Sequence, residues 1–315
     1  MAHYSGILEL IGETPLLEVS ELSPSPRVRI LAKLEGQNPG GSVKDRIALA
    51  MVTDAEKNGR LAPGQSILEP SSGNTGIGLA MVCRVKGYPL TIVMPANVST
   101  ERRQALEAWG ATIIESPASE GSNGAVRMAQ RIVAEHPEHA FLYQYANPAN
   151  PRAHYEGTGP EIWRDCPEVT HFIAGLGTTG TLMGVGRFLK EKNPAIRVWA
   201  IEPPTGELVD GLRNLDEGYI PPVFTDNGGD DLLDRRTIVG TRDSIEWVRK
   251  LAGIGVFAGI SSGAVMAGAV KCASTIDNGV IVVVFADGGW KYLSTGAWTG
   301  DIDEVVERAR TMIYF

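Results

Sequence analysis

What constrains this chain most is an alternation that runs through nearly all of it: short unbroken apolar runs, each followed by a helical stripe. The runs at 28–34, 66–69, 90–94, 111–115, 141–145, 171–174, 197–202 and 280–286 read as strands. Helical periodicity follows Lys44 to near Gly59, then resumes up to Lys86, where Gly87 stops it. Further helices are expected at 100–109, 121–135, 157–164, 180–192, 244–252 and after Gly263. Strands that are apolar on both faces need cover on both faces, which predicts an α/β fold of parallel sheets flanked by helices. Such sheets bind ligands beyond the carboxyl ends of their strands, where this chain places its Gly-rich turns. The Asn/Pro-rich loop 147–151 marks a crossing between two lobes. Residues 203–236 are irregular and too long for a routine connection, which points to function.

Charge and cysteine usage narrow the partners. Twenty-nine basic against 37 acidic residues leave a net charge of −8, which argues against nucleic acid or an anionic membrane as the main partner. No apolar run approaches the roughly 20 residues of a membrane span, and residues 1–10 lack a secretion leader's basic and apolar regions. Cys83, Cys166 and Cys272 are scattered and odd in number, and the histidines have no ligand-type spacing. The expectation is a cytoplasmic, reduced protein without a metal site.

Four Gly-rich turns carry the chemistry. In Gly40-Gly41-Ser42-Val43-Lys44-Asp45-Arg46 a lysine stands at the start of a helix, where unpaired N–H groups concentrate positive potential. Screened from water, it becomes an amine nucleophile; otherwise it is an ordinary surface lysine. Ser71-Ser72-Gly73-Asn74-Thr75-Gly76 suits a carboxylate or serves as a plain N-cap. Gly175-Leu176-Gly177-Thr178-Thr179-Gly180-Thr181 follows a strand and opens a helix, so its amides and hydroxyls suit a phosphate monoester. The same stretch spells GxGxxG with Glu202 about 20 residues on, the spacing of a dinucleotide fingerprint, so a nicotinamide dehydrogenase is a rival. Gly259-Ile260-Ser261-Ser262-Gly263 offers a hydroxyl to a ring nitrogen or a simple N-cap. A phosphate cup together with a lysine able to form a Schiff base describes pyridoxal 5'-phosphate better than a nicotinamide.

These turns, with Ile11-Gly12-Glu13-Thr14-Pro15-Leu16 and Asn38-Pro39, resemble the fold-type II pyridoxal-phosphate enzymes, of tryptophan synthase β-like architecture, and specifically the cysteine synthases of B type. The resemblance covers almost the whole chain. It implies a smaller mobile lobe at 40–147 and a larger lobe, 1–39 plus 148–315, that binds the cofactor phosphate. It makes Lys44 the Schiff-base lysine and acid/base, and gives Asn74 the cofactor's ring hydroxyl. Gly177, Thr178, Thr179, Gly180 and Thr181 would hold the phosphate. Ser261, with Ser262 as the fallback, would meet the pyridine nitrogen. Ser71, Ser72, Gly73, Thr75 and Gln144 would take the substrate carboxylate. Ser71 stands where the family commonly has Thr.

The implied activity is β-replacement through an α-aminoacrylate to give L-cysteine. Gly211-Leu212-Arg213-Asn214-Leu215-Asp216-Glu217-Gly218 and Asp287-Gly288-Gly289-Trp290-Lys291-Tyr292-Leu293-Ser294-Thr295-Gly296 resemble the mycobacterial-type branch, which uses O-phosphoserine and a thiocarboxylated sulfur-carrier protein. Arg213 would then bind the substrate phosphate; alternatively it pairs with Asp210, Asp216 or Glu217. The nearest alternative activity takes O-acetylserine with sulfide or thiosulfate. A non-catalytic homologue that binds a partner's C-terminal peptide is a third reading, against which the intact Lys44 argues. The tail, Thr311 to Phe315, either enters the cleft or frays. A homodimer is expected from the resemblance.

Overall fold

The computed structural model describes residues 3–71 and 73–311. Its strands are β1 (Leu16–Glu18), β2 (Val28–Leu34), β3 (Ile67–Pro70), β4 (Leu90–Pro95), β5 (Thr112–Ser116), β6 (Ala140–Phe141), β7 (His171–Gly175), β8 (Arg197–Glu202), β9 (Arg235–Ile238) and β10 (Gly279–Phe285). They form a six-stranded sheet in the order β1-β2-β10-β7-β8-β9 and a four-stranded sheet in the order β5-β4-β3-β6. Every pairing is parallel except β1 with β2. Helices flank both sheets, as the apolar runs require.

The run at 280–286 is apolar because β10 lies inside the larger sheet, between β2 and β7. Ile281, Val283 and Phe285 pack with Ala264, Val265 and Ala267 of the helix Ile260–Ala273. Val282 and Val284 point the other way, onto Leu182, Val185 and Leu189 of the helix Gly180–Lys192. The smaller sheet repeats this logic. Helices α1 (Lys44–Lys57) and α2 (Asn74–Lys86) cover Ile67, Ile92 and Met94 on one face. On the other, α4 (Gly121–Glu135), which follows α3 (Thr100–Ala108), sets Ala125 and Ala129 against Leu68 and Val93.

Four differences from the sequence expectation have a local reason. The strand expected at 141–145 stops at Phe141, because the buried carboxylate of Glu69 accepts the amides of Tyr143 (2.7 Å) and Gln144 (3.0 Å). Tyr143 adopts φ +51° there, and the chain turns out of the ladder. The loop at 147–151 is a helix start: Asn147 accepts the Ala149 amide, and helical backbone then continues from Ala149 to Asp165 through a wide turn at His154–Thr158. The helix expected after Gly263 begins at Ile260, and Gly263 lies inside it because a Cβ would meet the Ser244 carbonyl oxygen at 2.1 Å. Finally, β9 forms an exposed edge whose polar Arg-Arg-Thr-Ile gives no apolar signal. Among the described residues no helix is long and apolar enough to cross a membrane.

Candidate active site

A cavity of about 340 Å³ opens where the N-terminus of α1 meets the turns that follow β3, β7 and β10. Lys44, Ser71, Gly73, Asn74, Thr75, Gln144, Gly177, Thr178, Thr179, Thr181, Arg213 and Ser261 all line it. Gly180 stands just behind them as the first residue of its helix. Ser72 lies outside the described residues, as do positions 312–315 of the tail.

Lys44 is carried by a pinned turn. The Val43 amide donates to the Ala286 carbonyl at the end of β10. Asp45 takes the Gly40 amide at 2.5 Å, and any side chain at 40 would collide with that carboxylate. Burial pushes Asp45 up to about 6, although the Gly40 amide and Lys291 oppose this. Burial also lowers the Lys44 amine below the ordinary lysine value, opposed by Asp287 and Glu35 and assisted by the charge of Lys291. An amine so placed loses its proton more readily than a surface lysine.

The turn at 177–181 fits a phosphate on its own geometry. Thr179 sits at φ +70°, an unusual backbone for a β-branched residue, and so turns the chain into the helix Gly180–Lys192. Its hydroxyl is buried without a hydrogen-bond partner among the described residues, beside helix-start amides that an anion would satisfy. Close packing behind the turn leaves no room for side chains. A Cβ at Gly180 would lie 1.8 Å from Asn150 Oδ1, and one at Gly177 would lie 2.8 Å from the Gly211 carbonyl oxygen. Asn150, which the sequence reading missed in its Asn/Pro-rich run, donates to Thr178 Oγ1 at 3.0 Å and to the Gln144 carbonyl at 2.9 Å.

On the opposite wall, Ser71 Oγ accepts the Gly76 amide at 2.9 Å, so it caps α2 while facing the cavity. Thr75 donates to Gln144 Oε1 at 2.7 Å, which joins the turn after β3 to the segment that leaves β6. Asn74 bonds Asp287 and Lys291, both at 2.7 Å. Ser261 lines the cavity, whereas Ser262 is fully buried with its hydroxyl unpartnered among the described residues. Asp287, Lys291 and Tyr292 were legible only as part of a family-like stretch; nothing in their spacing links them to Asn74.

Arg213 reaches the cavity between two tyrosine rings, 5.3 Å from Tyr145 and 4.8 Å from Tyr219. Its expected acidic partners are engaged elsewhere. Asp210 faces Arg102 at 3.6 Å, Asp216 pairs with Arg236 at 3.0 Å, and Glu217 accepts the Gly206 amide at 2.7 Å. The dinucleotide reading fails at its acidic residue. Glu202 is buried against the Leu215 amide (3.3 Å) and Arg236 (3.4 Å), outside the cavity lining.

Comparison with known proteins agrees with this geometry. The family described as pyridoxal-phosphate dependent enzyme matches residues 7–287. The chain is 42% identical over 292 residues to cysteine synthase B of Salmonella typhimurium, covering 92% of this chain and 95% of that protein. The solved structure of an O-ureido-L-serine synthase superposes with a TM-score of 0.88 at 36% identity, over 95% of this chain and 96% of that one. O-acetyl serine sulfhydrylase isoform 3 from Entamoeba histolytica superposes with a TM-score of 0.86 at 34% identity, over 98% and 96%.

Proposed function

This chain belongs to the pyridoxal-phosphate dependent enzymes, among the cysteine synthases, and from that premise we propose that it replaces the phosphate of O-phospho-L-serine with sulfur. The observation that carries the choice of leaving group is Arg213, a cation facing the cavity with no acidic partner among the described residues. A dianionic phosphate needs such a cation, and a guanidinium matches its geometry. On the same reading the sulfur donor is a carrier protein ending in a glycine thiocarboxylate, and the working form is a homodimer.

When bound, the cofactor supplies an electron sink that makes an amino acid's α-proton removable. The chain's own residues do the rest. Gly177 to Thr181 would hold the cofactor phosphate, Lys44 would hold the cofactor covalently, and Ser261 would face its ring nitrogen. A neutral serine there would give the ring nitrogen no proton, which would suit elimination. The amides of the turn at 71–75, with Gln144, bind the substrate carboxylate. Once the substrate's amino group has displaced it, the free Lys44 Nζ, its proton affinity lowered by burial, would take the α-proton and later return it. Arg213 neutralises the departing phosphate. Closure of the lobe at 40–147 keeps water from the reacting carbon.

A second reading has the better support from the comparisons: replacement of the acetoxy group of O-acetylserine, released as acetate, with sulfide or thiosulfate as donor. One solved relative is named an O-acetyl serine sulfhydrylase and the curated relative a cysteine synthase B. The two readings separate in one experiment, kcat/KM for each serine ester with the cofactor-loaded enzyme and with Arg213→Ala. The expected result is preference for O-phosphoserine, lost by about 10²-fold in the variant, with O-acetylserine turnover changed less than about threefold. Preference of the unaltered enzyme for O-acetylserine would establish the second reading.

A further inference from the structure

The segment after β10 brings a second lysine to the cofactor site. Within the 3-10 turn Gly289–Thr295, Trp290 is 71% exposed and Tyr292 only 3%, and the Lys291 side chain runs inward between them. Its ammonium has three N–H donors, and three acceptors meet them: Asn74 Oδ1 at 2.7 Å, the Gly40 carbonyl at 3.0 Å and the Gly41 carbonyl at 3.2 Å. The approach is close enough that a Cβ at Gly41, whose φ is +81°, would lie 3.4 Å from the lysine's end. Asp287 Oδ2 takes the Asn74 amide nitrogen at 2.7 Å and the Tyr292 hydroxyl at 2.6 Å. The same carboxylate packs on Gly259, where a Cβ would lie 1.9 Å from Asp287 Oδ1.

An asparagine amide has nearly the same shape either way round, so its neighbours decide which end is which. An ammonium can only donate and a carboxylate accepts, so Lys291 and Asp287 together permit one arrangement of Asn74. That arrangement leaves the second N–H of Nδ2 without a hydrogen bond among the described residues, on a side chain that lines the cavity. It is a donor suited to an anionic ring oxygen. With the amide reversed, the cavity would receive a carbonyl oxygen, which repels such a group. The three contacts of Lys291 also join the turn that carries Lys44 to the turn that carries Asn74.

We propose that Lys291 is a positioning residue for the cofactor: its ammonium fixes the Asn74 amide in its donating orientation and locks it to the Lys44 turn. The proposal rests on Asn74 touching the cofactor, and it is independent of which serine ester is used.

The test is a thermodynamic cycle on pyridoxal phosphate affinity, titrated into the cofactor-free enzyme and read by absorbance. Lys291→Met is expected to weaken binding about tenfold in the native background and less than about threefold in the Asn74→Ala background. Lys291→Arg, which keeps the charge and the donors, should restore most of the affinity. Equal losses in both backgrounds, or no loss in either, would overturn the proposal, since a purely structural lysine acts without regard to Asn74. If Asn74→Ala leaves the affinity unchanged, the premise fails and the proposal with it. A second measurement needs no variant. In the cofactor-free enzyme the Asn74 Nδ2 proton bonded to Asp287 should exchange with solvent at least about tenfold more slowly than the side-chain amide protons of exposed Asn58, and equal exchange rates would refute the fixed orientation.

Discussion

Two buried clusters of charge flank Lys44, and they are built on opposite principles. On the side of the framework, Arg46 bonds Glu35 and Glu161, each at 2.7 Å, and Lys33 bonds Glu161 at 2.7 Å. Thr14 closes the set by donating to Glu35 at 2.6 Å. Two cations meet two anions and every charge has a partner. Burial opposes ionisation of Glu161, yet Arg46 and Lys33 hold it down to about 2. On the side of the cavity, Lys291, Asn74, Asp287, Tyr292, Arg102 and Asp210 form a looser set. Among the described residues Asp287 Oδ1 and Asp210 Oδ1 are buried without a hydrogen bond. Burial pushes Asp210 up to about 7, although Arg102 opposes it. The first cluster satisfies itself and fixes the turns; the second leaves polar atoms unsatisfied, which is the condition of a region that must accept a ligand or move.

The sharpest way to break this contrast is to exchange stability for activity in each cluster. Lys44→Ala should reduce turnover by on the order of 10³-fold or more and leave the unfolding midpoint in urea nearly unchanged, because no framework bond is lost. A variant that unfolds as readily as it loses activity would place Lys44 in the framework instead. Arg46→Met should do the reverse. It leaves Glu35 and Glu161 buried beside too little positive charge, so the unfolding free energy should drop by about 3–5 kcal/mol in urea titration. A loss below about 1 kcal/mol would show that the framework cluster is not holding the turns.

The smallest effect concerns pH. Asp210 has its folded value raised to about 7 from an ordinary 3.8, so the folded state binds its proton more tightly than the unfolded chain does. Its contribution to stability is therefore full below about pH 4 and is lost as pH rises through about 7. Asp210→Asn removes that slope. Melting temperatures measured from pH 5 to pH 8 should converge on, or cross above, those of the unaltered protein as pH increases. Parallel curves would remove Asp210 from the account. Glu69, which burial raises to about 7 against two backbone amides, contributes a slope of the same sign and remains in both proteins.

Much of this was legible in the chain, and the reason is local. The apolar run at 280–286 and the helix at 180–192 are dictated by burial on both faces and by periodicity, which neighbouring residues alone express. The turns at 40–46, 71–76 and 175–181 announce themselves through glycines and hydroxyls, because helix starts need those residue types wherever they occur. The helix start hidden at 147–151 was not legible, since Asn and Pro serve a loop and an N-terminus equally well.

What the sequence by itself determined is the layered α/β architecture and the set of turns able to hold a phosphorylated cofactor, because burial patterns and turn chemistry are short-range properties. The tertiary structure alone decided how those turns meet. Asn74 and Asp287 lie 213 residues apart, Asn74 and Lys291 lie 217 apart, and Arg46 and Glu161 lie 115 apart. No periodicity spans such distances. The pairings follow from the stacking of parallel strands, whose carboxyl ends bring remote turns to one edge, where burial favours pairing with whatever donor or acceptor lies within reach.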